Sequence, residues 1–400
     1  MKKWEEYMMK MKRWFLGVVS FSAVFISACS SGGGRQEGNT AEDDEAINIG
    51  SMFELTGSAS GYGTTQANAV QMAADEINDD GGIDGQEINI EEYDTQSDEA
   101  EAASIATRLS TRDNAVAMIG PALTGPMQAS IPNANEAQVP LISPSATDDG
   151  VLTDEDGNVE PYAYRTGFTN SFQGGALANF ANDELDAKKA VILGDNSSDY
   201  ATGLTDEFTE AFDGEIVSVE NFSEGQNDFN AELTNIEQMD FDVLFVPGYY
   251  EEGGPIINQA REMGIDQPIL GPDGFGNDII YDLASPENMN DIYHTSHFVL
   301  TSDDPDTQDF VSNYRENFDT EPDMFAGLAY DTVYLLKQAI EETGSTNSAD
   351  INRGLENIED FEGITGTFTF DEMHDPIKTV SIIEVQDGEE VGTSEVEPDQ

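Results

Sequence analysis

From residue 47 onward the apolar positions switch repeatedly between two periods. Residues 47–55 (INIGSMFEL) form an apolar run of strand length. Over 62–78, Ala67, Val70, Ala73, Ala74 and Ile77 recur at helical spacing, and Gly81-Gly82 stops the helix. Residues 87–94 (EINIEEYD) alternate as a strand with one polar face. The same reading predicts helices over 98–112 and 125–137 and strands at 116–122, 140–144 and 162–167. A second series follows, with strands at 190–196, 215–222, 243–249 and 269–274 and helices over 171–185, 199–213, 228–237 and 252–263. Helices over 304–318 and 325–343 and strands at 365–371 and 379–386 complete the pattern. Strands alternating with helices predict parallel α/β sheets, and two series predict two doubly wound α/β lobes.

The N-terminus reads as an address. Lys2, Lys3, Lys10, Lys12 and Arg13 precede a 13-residue apolar run, Trp14–Ile26. A bilayer span needs about 20 residues, so residues 1–28 read as a signal peptide. Met8, Met9 and Met11 are alternative starts. Ile26-Ser27-Ala28-Cys29 resembles the lipobox of secreted lipoproteins, which makes Cys29, the only cysteine, the lipidation site. Residues 29–46 are Gly/Ser-rich, then acidic, and read as a flexible tether with an r.m.s. span of about 23 Å. The expected location is the cell membrane, lipid-anchored on its extracytoplasmic face.

Composition narrows the function. The chain has 80 Asp+Glu against 16 Lys+Arg, a net charge of −64. Nucleic acid is excluded as a partner, because its phosphates would be repelled. One cysteine excludes a disulfide framework, and three histidines leave few general bases or imidazole ligands. The acids are dispersed through apolar-periodic segments rather than gathered in a tail. Beyond residue 28 the lysines are only Lys188, Lys189, Lys337 and Lys378. That balance reads as a folded protein of a salt-rich environment, where short Debye lengths screen the carboxylates.

In open α/β sheets ligands bind beyond the carboxyl ends of the strands. The loops there are 55–63, 120–126, 143–149, 194–200, 247–253 and 271–276, all rich in Gly, Ser, Thr, Tyr or Asp. Several carry a resemblance. Residues 55–94, IGPALTGPMQAS (119–130), VPLISPSAT (139–147), YAYRTG (162–167), PGYYEEG (247–253) and GPDGFGN (271–277) resemble branched-chain amino-acid binding proteins of ABC importers. The resemblance implies the type I periplasmic-binding-protein fold, two lobes joined by three hinge crossovers. It places lobe 1 at 47–167 and 300–370, and lobe 2 at 168–299 and 371–394. It implies a monomer that captures leucine, isoleucine or valine and delivers it to an ABC permease, with no reaction and no cofactor of its own. A binder of amides or urea, and a ligand-sensing domain of a signalling system, are the alternatives.

The resemblance also implies a site. Ser145 and Thr147 match a carboxylate-holding loop, where N-capping and turn chemistry are the alternative roles. Thr124 and Gly125 lie where the family supplies a hydroxyl or N–H at a helix start, although Leu123 and Thr124 replace a frequent Ser pair. Asp273 matches the acid that holds the ammonium, often Glu. Tyr62, Tyr200 and Tyr249 match cleft walls, with Tyr250 competing for the last role. Asn170 follows the first crossover as a further ligand contact, and Arg165 reads as a hinge ion pair rather than a ligand group. Other motifs fail. GxxxxGK[ST] and GxSxG are absent. His294 and His297 form HxxH on a strand, where they point to opposite faces and make no metal site. The run Asp303–Asp306 reads as a solvated helix start.

Overall fold

The computed structural model describes residues 46–396. The signal peptide, Cys29 and all but the last residue of the tether lie outside the described residues. The first sheet contains β1 (Ile47–Phe53), β2 (Ile88–Asp94), β3 (Ala117–Ile119), β4 (Leu141–Ser143) and β5 (Ala163–Arg165). All its pairs are parallel, in the order β2-β1-β3-β4-β5. Chain order reverses across β1 and β3, which opens a crevice at their carboxyl ends. Helices α1 (Ser60–Asp79), α2 (Glu99–Thr111) and α3 (Thr124–Ala137) make the connections. β1 is almost wholly buried because both faces are covered. Ile49 and Phe53 feed the layer under α1, and Met52 feeds the layer under α2 and α3.

The second sheet begins with β6 (Lys189–Asp195), β7 (Glu215–Phe222), β8 (Val243–Phe245), β9 (Ile269–Gly271) and β10 (Ile292–Ser296). It ends with β13 (Val380–Gln386) and β14 (Glu389–Val396), in the order β14-β13-β10-β9-β8-β6-β7. Its helices are α4 (Asn170–Asp183), α5 (Asp199–Ala211), α6 (Asn230–Ile236), α7 (Tyr250–Glu262) and α8 (Ile279–Ala284). After β10 the chain forms α9 (Pro305–Phe318) and α10 (Met324–Thr343); α10 packs along α1 of the first sheet, and α11 (Ser348–Glu356) packs on α10. A hairpin of β11 (Phe361–Gly363) and β12 (Gly366–Phe368) precedes the return to β13. The chain therefore passes between the two sheets three times.

Several expectations need correction. The second sheet is not wholly parallel: β13 pairs antiparallel with both β10 and β14. The strand expected at 243–249 stops at Phe245, ahead of Pro247-Gly248, and Tyr249 is the N-cap residue of α7. The strand expected at 269–274 stops at Gly271, before Pro272. Asp273–Phe275 is a 3-10 turn. Only Gly366–Phe368 of the strand expected at 365–371 is extended. Asp304 does cap α9, accepting from the amides of Asp306 and Thr307.

Candidate functional site

The site grows from the carboxyl ends of both sheets. Gly63, one residue after Tyr62, lets α1 start hard against β1: a Cβ there would lie 2.2 Å from the Glu54 carbonyl oxygen. Glu54 is fully buried at the end of β1 and accepts from the amides of Ala122 (3.0 Å) and Leu123 (3.4 Å). Burial pushes its carboxyl up to about 7. This carboxyl fixes the turn that opens α3. No side chain caps α3, and the Thr124 hydroxyl at its start is buried with no hydrogen-bond partner. The Ser145 hydroxyl donates to the Ala122 carbonyl (3.0 Å) and receives the Gln66 amide (3.2 Å).

From the second sheet comes Asp273. Its Oδ1 accepts from the Tyr200 hydroxyl at 2.5 Å, and its Oδ2 lies 3.3 Å from His297 Nε2. Its amide donates to Gln173 Oε1 (3.1 Å). The Tyr200 hydroxyl also accepts from the Gly274 amide (3.0 Å), and its ring stacks on Tyr249 at 4.8 Å. Tyr62 reaches across: its hydroxyl donates to the Gly274 carbonyl (2.5 Å) and accepts from the Tyr250 amide (3.2 Å). Burial raises the Tyr62, Tyr200 and Tyr249 hydroxyls above the ordinary tyrosine range, so all three stay protonated.

Tyr62, Thr124, Ser145, Tyr200, Tyr249 and Asp273 thus line one cavity of about 20 Å³, closed by Leu123 and Phe325 among others. That is room for about one water, so anything larger enters only when the two faces part. Gly125 does not reach it; it lines an adjoining cavity of about 160 Å³ that shares Thr124, Tyr200 and Tyr249. Thr147 and Asn170 lie behind the site. The Thr147 carbonyl accepts from the Asn170 amide (2.7 Å), and Asn170 Nδ2 donates to the Tyr200 carbonyl (3.1 Å). Tyr250 spans the sheets by a different route, accepting from the Gly61 amide (3.0 Å).

A profile of the periplasmic binding protein family matches residues 46–390. The chain belongs to the periplasmic binding protein family. Among solved relatives is the branched-chain amino acid transporter substrate binding protein of Streptococcus pneumoniae, in complex with isoleucine. It is 42% identical, with 88% of this chain and 100% of that one covered and a TM-score of 0.85. A leucine binding protein from Thermotoga maritima is 29% identical, with 88% and 99% covered and a TM-score of 0.80. The leucine-, isoleucine-, valine-, threonine- and alanine-binding protein of Pseudomonas aeruginosa is 24% identical over 334 residues, 83% of this chain and 87% of that one. The fold is the type I periplasmic-binding-protein fold.

Two further features of this family member bear on the site. Arg165 is an ion-pair residue: its Nε pairs with Asp375, and its Nη1 donates to the carbonyls of Ala146 (3.2 Å) and Asp148 (2.8 Å). A larger hollow of about 750 Å³ opens along the crossing segments just past the carboxyl end of β10, with His297 in its wall. Its buried charges are satisfied internally. Lys378 donates to Thr365 Oγ1 (2.9 Å), and Asp331 accepts from the amides of Ile364 and Thr365 (both 2.9 Å). Among the described residues no cluster of His, Cys, Asp and Glu is arranged to hold a metal. Sequence reasoning missed Glu54, Gln66, Gln173, His297 and Phe325. Glu54 left a signal, a carboxylate within the apolar run 47–55. His297 was weighed only as a metal ligand; it lies just past β10, buried like His294.

Proposed function

We propose that this protein is the lipid-anchored, extracytoplasmic solute-binding component of an ABC importer, and that its ligand is leucine, isoleucine or valine. The observation that carries the reading is the convergence of Asp273, Thr124 and Ser145 with three tyrosines on one cavity between the sheets. A free amino acid presents an ammonium and a carboxylate. Asp273 accepts charge-assisted hydrogen bonds from the ammonium. The unpartnered Thr124 hydroxyl and the uncapped start of α3 receive the carboxylate, which the helix dipole favours; Ser145 joins them when its hydroxyl turns from the Ala122 carbonyl, and Gly125 when the cavity opens toward its neighbour. Leu123, Phe325 and the tyrosine rings surround an aliphatic side chain, while Thr147 and Asn170 brace the site from behind. The isoleucine complex of the 42% identical relative supports the same ligand class.

In this reading residues 47–167 and 300–370 form one lobe, and 168–299 and 371–394 the other. They part to admit ligand and close on it, as a monomer. The protein carries out no reaction; a separate ATPase drives uptake. Thermal shift at high salt tests the reading against leucine, isoleucine, valine, alanine, acetamide, urea and benzoate. A branched-chain ligand at 100 times its Kd is expected to stabilise by about 2.7 kcal/mol. A shift with urea, acetamide or benzoate and none with any amino acid overturns it.

A further inference from the structure

We infer that His297 is a positioning residue of the ligand site: as a neutral Nε2–H donor it holds Asp273 for the ligand's ammonium. Only the affinity arm of the test rests on the amino-acid reading above. The ring is held from several sides. It stacks on Phe168 at 3.7 Å and 22°, meets the edge of Phe325 at 6.3 Å, and sits where a Cβ on Gly167 would come within 3.1 Å of its Cε1. Nε2 faces Asp273 Oδ2 at 3.3 Å, whereas Nδ1 is buried with no hydrogen-bond partner.

These contacts select the tautomer. An Nδ1–H imidazole would bury an unpaired donor and turn the Nε2 lone pair onto a carboxylate oxygen. An Nε2–H imidazole makes the hydrogen bond and leaves only an acceptor unfilled, the smaller cost. Burial pushes the imidazole down to about 4; of the charged groups facing the ring, Asp273 favours a proton but is outweighed, and Lys378 acts with burial against one. Tyr200 on Oδ1 and His297 on Oδ2 therefore fix both oxygens of Asp273 without neutralising it. A lysine or arginine in that place would form a buried ion pair and leave less charge for the ligand. The donor stands on a segment that crosses between the sheets, and the ring beneath it, Phe168, stands on another. Carboxylate geometry is thereby tied to the position of the crossings.

The test uses the full chain, whose three histidines keep the imidazole spectrum simple. Nitrogen-15 NMR at pH 7, with the His297 signal assigned by its loss in His297→Gln, is expected to show a neutral Nε2–H tautomer that shifts in Asp273→Asn. Calorimetry with L-isoleucine reads the affinity. His297→Gln keeps a donor and is expected to hold affinity within about threefold, whereas His297→Phe keeps the stack, loses the donor and weakens binding about tenfold or more. An Nδ1–H tautomer or an imidazolium at pH 7 overturns the inference, as does equal affinity of the two variants. If His297→Phe does not fold, the wild-type NMR and His297→Gln decide. If isoleucine fails to bind the wild type, the ligand reading falls, and the NMR result still decides the role of His297.

Discussion

At the scale of single residues, the site is a set of donors and acceptors that differ in what they have left to give. Thr124 holds a buried hydroxyl with no partner, while Asp273 has its two oxygens steered by Tyr200 and His297. Asp273→Asn keeps the size and a Tyr200 acceptor but removes the charge. It is expected to cost about 2–5 kcal/mol of amino-acid affinity, roughly 30-fold to several thousandfold, because the ammonium is then buried unpaired. Calorimetry checks this, with circular dichroism showing the fold intact. Tyr62, Tyr249 and Asp273 were legible as cavity-lining candidates because each sits in a short motif with a recognisable neighbourhood; Tyr200, in NSSDYATG, rested on a looser match. Gln173 and His297 were not, since their meaning lies in contacts: Gln173 meets the Asp273 amide from 100 positions away. A polar residue in an apolar stripe signals that something is being satisfied, without saying what.

At the scale of elements, periodicity found the long helices and the buried strands of both sheets. It failed where period 2 carries no apolar signal: β14, EEVGTSEV, is exposed along most of its length. It overran where Pro247 and Pro272 end strands early. The end of β1 carries a testable consequence. Glu54 has a folded value near 7 against an ordinary 4.5, so the folded protein holds that proton more tightly than the unfolded chain. Asp323, buried as the N-cap of α10, is also pushed up to about 7. Each contribution is complete below the group's ordinary value, 4.5 for Glu54 and 3.8 for Asp323, and is lost as pH rises through about 7. Stability is therefore expected to rise as pH falls from 8 toward 5, by at most about 3 kcal/mol from Glu54. Glu54→Gln should flatten part of that rise. A melting temperature that falls steadily over the same interval, or an unchanged slope in Glu54→Gln, refutes the assignment.

At the scale of the whole molecule, charge and topology dominate. A net charge of −64 repels itself across the surface unless salt intervenes. The Debye length is about 3 Å at 1 M salt and about 10 Å at 0.1 M. Dialysis to about 0.05 M salt is expected to lower the melting temperature and the helical circular dichroism; full helicity with an unchanged melting point would sink the salt-adapted reading. Cys29→Ala is expected to release the protein into the medium or stall its processing, read by fractionation; a processed variant that stays on the membrane removes the anchor proposal. One topological feature reaches into synthesis. β13 lies between β10 and β14, yet it is made only after α9, α10, α11 and the β11–β12 hairpin. While a ribosome is still adding those residues, the edge of β10 stays open and the second sheet is incomplete. The last strands close a sheet begun some 200 residues earlier. Until Val380–Gln386 has been made, the edge of β10 has no strand of its own sheet to pair with, and an open edge of that kind invites wrong pairings.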